Sequence, residues 1–288
     1  MSRLGHINDF MRLGHIPKNG LPINRLTFNY ADLTGIVCSL RLVIKSYAGF
    51  CIRVRRSSDN TTQDIGFVNE LVDLASIQTF IGVSNGFIER FYCQNSTGYF
   101  NQSTTANQPR IAISGVINSY KGLPFIEFTT AGSYRMIFNS TFAFNLNNIT
   151  VIAVGSADAG MIISQAENQP SNSRLYIPLI SAGVKTIGYG NNGAFGNVGS
   201  AGLNMVITGI STNNSRVYGY SNLSEFDLGA VQNQACNGSL ITLGTYYNGT
   251  IYANQLNGYV FELIINTSVE SKKSNIISQL YTDLINIL

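Results

Sequence analysis

Short apolar runs separated by clusters of glycine, asparagine and serine occupy most of the chain, which is the pattern of β-strands joined by turns. The run at 149–155 is almost continuously apolar, which is typical of a strand buried on both faces. Two acidic residues within predicted strands, Glu127 and Glu262, are expected at wet or edge positions. The pattern predicts strands over 86–92, 110–117, 124–128, 138–148, 149–155, 175–180, 184–189, 203–211, 216–221, 240–246 and 259–265.

Three segments carry apolar residues at helical spacing instead of the alternation of a strand. Residues 31–45 place a row of apolar side chains on one helical face, and residues 70–81 do so over a shorter length. The C-terminal stretch 268–287 begins at Ser268, a residue type that caps helix N-termini. We expect helices in these three segments and a long Gly- and Asn-rich loop over 188–202.

The segment 51–67 concentrates charge in a chain that otherwise has little of it. It begins as an alternating strand and continues through a turn whose side chains bond to their own backbone. We expect Asp59 and Asp64 to pair with the arginines of this segment and to fix the turn. The alternative is a calcium site, to which Asp59, Asn60 and Asp64 would supply oxygen ligands. The arginines are Arg53, Arg55 and Arg56.

The run Arg-Val-Arg-Arg-Ser-Ser-Asp-Asn at 53–60 resembles the N-terminal half of the catalytic domain of α-L-arabinofuranosidase B. It resembles still more the related domains of virus and bacteriophage structural proteins. Further matching segments follow in the same order, so that the resemblance covers residues 30–288; they are 38–42, 91–95 (Phe-Tyr-Cys-Gln-Asn), 106–111, 122–128 and 258–265. The resemblance implies an all-β, concanavalin A-like fold, in which two antiparallel sheets form a jelly-roll sandwich. The predicted organisation is an extended N-terminal arm, residues 1–26, and one sandwich domain, residues 27–288.

The composition predicts a polar surface with few charged residues. Only 11% of the residues are charged although 44% are hydrophobic, so Asn, Ser, Thr, Gln and Gly must supply the polar surface. Such a surface suits stacking against other proteins or sugars, while a coding bias toward Asn and Ile explains the same composition without any function. Residues 1–25 hold four of the 18 basic and one of the 15 acidic residues, which leaves 14 of each elsewhere. A neutral body argues against nucleic acid as a partner, since phosphate binding needs clustered Lys and Arg.

The arm repeats five residues at a spacing of nine positions. Arg-Leu-Gly-His-Ile occurs at 3–7 and again at 12–16, and two prolines and a glycine then interrupt regular structure. We expect each copy to insert its Leu and Ile into an apolar groove of a partner while its Arg meets an acidic rim. The alternative is a loose tail with an accidental duplication. The docking residues are Arg3, Leu4, His6, Ile7, Arg12, Leu13, His15 and Ile16.

The sequence does not indicate a route through a membrane. Residues 1–6 lack the apolar core of a signal peptide, and no run of about 18 apolar residues is present to form a membrane span. We therefore expect synthesis in a host cytoplasm and location in a virion, which the resemblance implies. In that compartment the cysteines are expected as free thiols. They are Cys38, Cys51, Cys93 and Cys236.

The residues needed for catalysis are largely missing. His6 and His15, both in the arm, are the histidines of the chain, and no phosphate-binding loop occurs. A glycosidase needs a pair of carboxylates. The resemblance matches the Glu nucleophile of arabinofuranosidase B to Gly190, and it matches the acid of that enzyme to the segment 244–248, which contains no carboxylate. We expect no catalytic residue, no cofactor and no metal ion.

Aromatic residues are the remaining recognition feature. The chain has 15 Tyr and 16 Phe without Trp, and Tyr combines an apolar face with a polar tip. The alternative interpretation is that the rings belong to the core and to the strand faces. The candidate carbohydrate site consists of Tyr189, Asn191, Asn192, Phe195, Tyr246 and Tyr247.

The sequence and the resemblance together favour a non-enzymatic, phage-like virion structural protein, as a capsid decoration, fibre or tail component. Its expected partners are other virion proteins through the arm, further copies of itself and host-surface glycans. A carbohydrate-binding lectin module is one alternative. A glycoside hydrolase of arabinofuranosidase type, with relocated carboxylates, is the other.

Deleting residues 2–25 is expected to leave a folded domain of unchanged melting temperature that no longer assembles with its partners. The arm has too few apolar residues to contribute to a core, yet it would span about 80 Å if fully extended. Thermal melting and incorporation into virus particles measure the two effects. A chain with scrambled repeats but unchanged length and charge is the matched control. Incorporation of the truncated chain at the full-length level would contradict the docking role.

Overall fold

The structure is a computed structural model of the chain. It describes residues 35–95, 98–140, 144–145, 149–166, 175–181, 184–189, 196–200, 202–212, 216–230, 235–236, 240–247 and 251–267. These residues form 26 strands, one α-helix and a 3₁₀ turn at Thr105–Asn107. The arm and the predicted C-terminal helix 268–287 lie outside the described residues.

The elements before residue 140 are short. They are β1 Gly35–Ser39, β2 Ile52–Arg56, β3 Thr62–Ile65, β4 Phe67–Val68, β5 Leu71–Val72, α1 Leu74–Ile81, β6 Gly86–Tyr92, β7 Tyr99–Asn101, β8 Arg110–Ile113, β9 Val116–Ile117, β10 Ser119–Tyr120, β11 Leu123–Pro124, β12 Ile126–Phe128 and β13 Met136–Phe138.

The later elements include the longest strands. They are β14 Phe144–Asn145, β15 Thr150–Ala166, β16 Leu175–Ser181, β17 Val184–Tyr189, β18 Gly196–Ser200, β19 Gly202–Thr212, β20 Arg216–Ser221, β21 Ser224–Ala230, β22 Ala235–Cys236, β23 Leu240–Leu243, β24 Tyr246–Tyr247, β25 Tyr252–Ala253 and β26 Asn257–Asn266.

The predicted strands are largely confirmed, three of them with the same bounds as β6, β17 and β20. The predicted strand 110–117 is a hairpin instead, because Ser114 and Gly115 adopt positive φ and reverse the chain between β8 and β9. The predicted loop 188–202 is wrong over Gly196–Ser200, since β18 pairs with β17 there.

The predicted helix 31–45 is wrong where the structure describes it. Residues Gly35–Ser39 form β1, which pairs along its whole length with β26. Four of its five residues are buried, so the segment reads as a continuous apolar run that periodicity cannot distinguish from a helix. The predicted helix 70–81 is confirmed from Leu74 onward, after Asp73 caps the N-terminus by accepting the Ser76 N–H at 3.0 Å.

Eighteen of the strands are linked by antiparallel ladders into one network, which has two sections. The first section runs β21–β20–β19–β15–β26. Strands β1 and β12 lie end to end along the other edge of β26. The second section runs β3–β2–β6–β7–β13–β23–β15–β16–β17–β18.

The 17-residue strand β15 belongs to both sections. Its first part lies between β19 and β26, and its last part lies between β16 and β23. Register shifts at 155–159 mark β-bulges, which bend a strand and increase its twist. Gly160 follows with φ of 76°, a conformation that residues with a Cβ rarely adopt. The bend allows one strand to serve both sections.

A buried ion pair joins the turn after β1 to β26. Arg41 donates from Nε to Glu262 Oε2 at 2.7 Å and from Nη2 to Oε1 at 3.1 Å, and the two side chains are 2% and 1% exposed. The Ser39 hydroxyl donates to the same Oε2 at 2.6 Å. Glu262 is therefore not at a wet or edge position as predicted, because β26 has partners along both edges and all of its residues except Asn257 are buried.

Gln94 completes the polar network around this pair. Its Oε1 accepts the backbone N–H groups of Val43 and Ile44 at 2.9 and 3.0 Å, and its Nε2 donates to Arg41 O at 2.6 Å. The turn after β1 therefore has its backbone groups satisfied by a side chain from beyond β6, as buried polar groups require.

Cys38 and Cys93 form a disulfide next to this network, so the prediction of free thiols is wrong for these two residues. The bond links β1 to the end of β6 and closes a segment of 55 residues. Cys51 is a free and fully buried thiol, and burial raises its pKa well above the ordinary value. Among the described residues, no helix has the length and apolar character of a membrane span.

Replacing Glu262 with Gln is expected to reduce the free energy of unfolding by about 3–5 kcal/mol, because the Arg41 charge would stay buried without its partner. Urea unfolding measures the loss. The double variant R41M/E262M should be more stable than E262Q, since it removes both charges. D227N is the control, because Asp227 pairs with Arg216 on the surface and should tolerate the change without a measurable shift. Equal effects of E262Q and D227N would contradict the role of the pair.

Candidate functional site

The segment 51–67 forms strands β2 and β3 and the turn between them. Arg53 clamps Asp64 with two hydrogen bonds of 2.8 and 2.6 Å, and Tyr92 donates its hydroxyl to the same carboxylate at 2.7 Å. Burial alone would raise the pKa of Asp64, but the hydrogen bonds from Arg53 and Tyr92 outweigh it and hold the pKa below its ordinary value. The predicted pairing of Asp64 is confirmed.

Asp59 holds the turn itself. Its carboxylate accepts hydrogen bonds from the Arg56 guanidinium, from the Thr61 N–H at 3.1 Å and from the Thr61 hydroxyl at 2.8 Å. The two carboxylates of the segment are thus committed to different arginines, and the described residues contain no cluster of three or more His, Cys, Asp or Glu suited to a metal ion. The arrangement is that of a stabilised turn.

Arg55 is the buried arginine of this segment, with 7% of its surface exposed. Its Nε donates to Gln108 Oε1 at 2.5 Å and its Nη1 donates to Asn60 Oδ1 at 2.7 Å, while its guanidinium carbon lies 4.6 Å from the centre of the Phe87 ring. Burial lowers the pKa of Arg55. The prediction of an aspartate partner does not hold for this arginine, which ties the turn to the 105–108 loop through neutral groups.

Two of the predicted carbohydrate residues, Tyr246 and Tyr247, lie on a short hairpin made by β24 and β25, here called the tyrosine hairpin. Tyr247 pairs directly with Tyr252, and their ring centres are 4.7 Å apart with an interplanar angle of 33°. All three tyrosines are partly exposed. The hairpin therefore presents a pair of neighbouring aromatic rings.

The base of the tyrosine hairpin is fixed to the second section of the network. The Thr245 hydroxyl donates to Ala253 O at 3.0 Å, and the Thr242 hydroxyl donates to Thr245 O at 2.7 Å. Gly244 adopts φ of 80°, and its N–H donates to Ile162 O of β15 at 2.7 Å. A residue with a Cβ at 244 would also collide with the Phe128 ring. The rings thus stand on a rigid base.

Arg135 contacts the Tyr252 ring of the tyrosine hairpin. Its guanidinium carbon lies 4.1 Å from the centre of the Tyr252 ring, which is within the range of a cation–π contact. Its Nη1 donates to Ser133 O at 3.1 Å, and Gln102 holds its backbone by donating to Arg135 O at 3.0 Å. Sequence reasoning missed Arg135, because no motif marks it and its partner Tyr252 is more than a hundred residues away.

Arg135 directly precedes β13, whose middle residue lies on a partly exposed face of the second section. Ile137, two residues later, pairs with Asn101, and Asn101 pairs with Arg90 on β6. Arg90 in turn pairs with Arg53. Directly opposed residues share one face of a sheet, and the alternate residues of these strands are buried in the core. We call this surface the outer face.

Of the four other predicted site residues, the structure describes Tyr189 alone. Tyr189 ends β17 and pairs with Leu175, which pairs with Gln165 near the end of β15. The hairpin contacts β15 near the same point, where the Ser164 hydroxyl donates to Thr245 O at 3.0 Å, but β23, which leads into the hairpin, pairs with the other edge of β15. The backbone of Tyr189 is therefore two strands away from β15, on the edge opposite to β23. Asn191, Asn192 and Phe195 lie outside the described residues.

No protein-family model matches the chain, and no curated protein sequence matches it. Solved structures do resemble it. A GH54 α-L-arabinofuranosidase soaked with a cyclic sulfate inhibitor matches with a TM-score of 0.62 at 16% sequence identity, covering 86% of this chain and 62% of that one. An arabinofuranosidase complexed with arabinofuranosyl-α-1,2-xylobiose matches with a TM-score of 0.61 at 13% identity over the same shares.

These similarities describe the fold. The chain is a mostly β, antiparallel structure that resembles the GH54 arabinofuranosidase catalytic domain at low identity. It spans less than two thirds of the length of those chains.

Replacing Arg55 with Ala is expected to reduce the free energy of unfolding by about 1–3 kcal/mol, because it leaves the buried amide oxygen of Gln108 without its partner. Asp59→Ala should change the stability much less, because its ion pair with Arg56 is exposed to solvent. Urea unfolding of both variants measures the difference. An Arg55→Ala variant that unfolds like the wild type but loses ligand binding would make the segment a binding site instead.

Proposed function

We propose that the protein is a non-enzymatic structural component of a virion, with a concanavalin A-like domain that binds glycans through the tyrosine hairpin. The observation that carries this proposal is the position of the hairpin. In a fold that resembles an arabinofuranosidase catalytic domain, the segment matched to the catalytic acid, 244–248, contains Tyr246 and Tyr247 and no carboxylate. In this resemblance, aromatic residues stand where that enzyme would have the acid that protonates its substrate.

The chemistry of the hairpin suits a sugar. A tyrosine ring offers an apolar face against which the C–H groups of a sugar ring pack, and its hydroxyl offers a hydrogen bond at the edge. Tyr247 and Tyr252 stand next to each other on a base fixed to β15 and β23, so little side-chain freedom is lost on binding. This supports recognition of a carbohydrate surface.

The strand network supports the proposed jelly roll. In this proposal the two sections are the two sheets of a sandwich, and β15 bends from one sheet into the other. One cluster of buried hydrophobic residues, drawn from both sections, would form the core between them.

The virion assignment rests on the resemblance of the 53–60 run to phage and virus structural domains, on the neutral body and on the repeated docking motif of the arm. In this proposal the arm binds other virion proteins, the domain assembles with further copies of itself, and the outer face is turned toward the host glycans.

A glycoside hydrolase is the second candidate, and the fold similarity favours it. It requires two carboxylates about 5–5.5 Å apart for retention or about 6.5–9.5 Å apart for inversion. Several described carboxylates are bound in ion pairs instead; they are Asp59, Asp64, Glu127, Asp227 and Glu262. Hydrolysis of a chromogenic arabinofuranoside by the purified protein would establish this candidate.

The double variant Y247A/Y252A is expected to lose glycan binding at least tenfold while keeping its unfolding midpoint, because it removes the two exposed rings and leaves their base intact. Tenfold corresponds to about 1.4 kcal/mol of binding free energy. A glycan array identifies the ligand, and calorimetry with that ligand measures the loss. Y99A is the matched control, since Tyr99 carries an arginine stack elsewhere on the outer face. The absence of any glycan ligand for the wild type would contradict the proposal.

A further inference from the structure

The arginines of the described residues are nearly all paired with acids. Of eight such arginines, six have a carboxylate oxygen within 4.0 Å, and several clamp it with Nε and Nη2 together. The two without a carboxylate are Arg55 and Arg135. Arg55 makes three hydrogen bonds to neutral acceptors, whereas Arg135 makes one, from Nη1 to Ser133 O.

The guanidinium of Arg135 has donors that form no hydrogen bond within the described residues. Its Nε atom is out of contact with solvent, and within the described part of the chain it has no hydrogen-bond partner. Arg90 Nε is in the same state, and a ligand from solvent cannot reach a donor that solvent does not touch, so the donor left for a ligand is Nη2, which has no hydrogen-bond partner within the described residues. The residue itself is partly exposed. Arg135 is thus a cation on the outer face with spare donors.

We propose that Arg135 binds an anionic group of the glycan, so that the ligand of the tyrosine hairpin is an acidic saccharide carrying a carboxylate or sulfate. This inference rests on the proposed function of the same site. An oxyanion would accept a charge-assisted hydrogen bond from Nη2 of this guanidinium, of the kind that Arg53 Nη2 makes to Asp64 in this chain. The sugar ring that carries it would then lie against the tyrosine rings.

The contact with Tyr252 fixes the orientation of this guanidinium. The guanidinium carbon lies 4.1 Å from the ring centre, and the bond to Ser133 O holds one end of the group. A preorganised arginine loses less entropy on binding an anion than a free one does. Arg90 is stacked in a similar way on Tyr99, but the Glu89 carboxylate lies 3.8 Å from its Nε and already balances its charge. Arg135 is therefore the better anion site.

The test compares oligogalacturonate with its methyl ester, which has the same sugar rings without the charge, together with a sulfated galactan oligosaccharide. Calorimetry on the full-length protein should show at least tenfold tighter binding of one charged oligosaccharide than of the methyl ester. In R135Q this preference should disappear while the affinity for the ester is unchanged. R135K should keep part of the preference, since lysine has the charge but not the planar guanidinium that contacts Tyr252.

R216Q is the matched control, because Arg216 already clamps Asp227 on the surface, and it should keep the full preference. Equal binding of charged and neutral oligosaccharides by the wild type would overturn the inference and leave the proposed glycan binding intact. No binding of any oligosaccharide would overturn both. Displacement of the charged oligosaccharide by an equal concentration of sulfate or acetate would show a site for free anions, and would also overturn it.

Discussion

The fold depends on the ion pair between Arg41 and Glu262, because two charges taken out of water are stable only when every donor and acceptor around them is satisfied. Ser39, Gln94 and the paired backbones of β1 and β26 meet that condition together. These groups come from three distant parts of the chain. Sliding β1 by one residue along β26 would turn the side chains of β1 to the opposite face and separate the pair. The pair therefore selects one register for the strands that bring the two ends of the domain together.

Most of the other described arginines are also paired with carboxylates of the chain itself. Two of these ion pairs lie within the hairpins β2–β3 and β20–β21. Arg135 has no carboxylate of the described residues within 4.0 Å and contacts the tyrosine hairpin instead. In the proposed function, the hairpin and the arginine form a surface that would hold a ligand without reacting with it.

The sequence was sufficient for local structure wherever alternation or apolar runs were unambiguous, as in β6, β17 and β20. It failed for β1, because a strand buried on both faces has the same apolar density as a helix. Glu262 was misjudged since a single acid in a strand usually faces water, and its partner 221 residues away leaves no local signal. Tyr246 and Tyr247 were predicted from their aromatic character and polar surroundings, whereas Tyr252 was not among the candidate residues. Arg135 was not predicted either, because only the tertiary structure brings it to Tyr252.

The continuity of β15 has a mechanical consequence. Because one strand runs through both sections, neither section can detach while the other stays folded, and the domain has no hinge between them. A pull applied along β15 would load its ladders with β19 and β26 in shear, so that many hydrogen bonds must break at once. The domain would therefore resist extension when it is pulled along this strand, as the proposed link between a glycan surface and a virion would require.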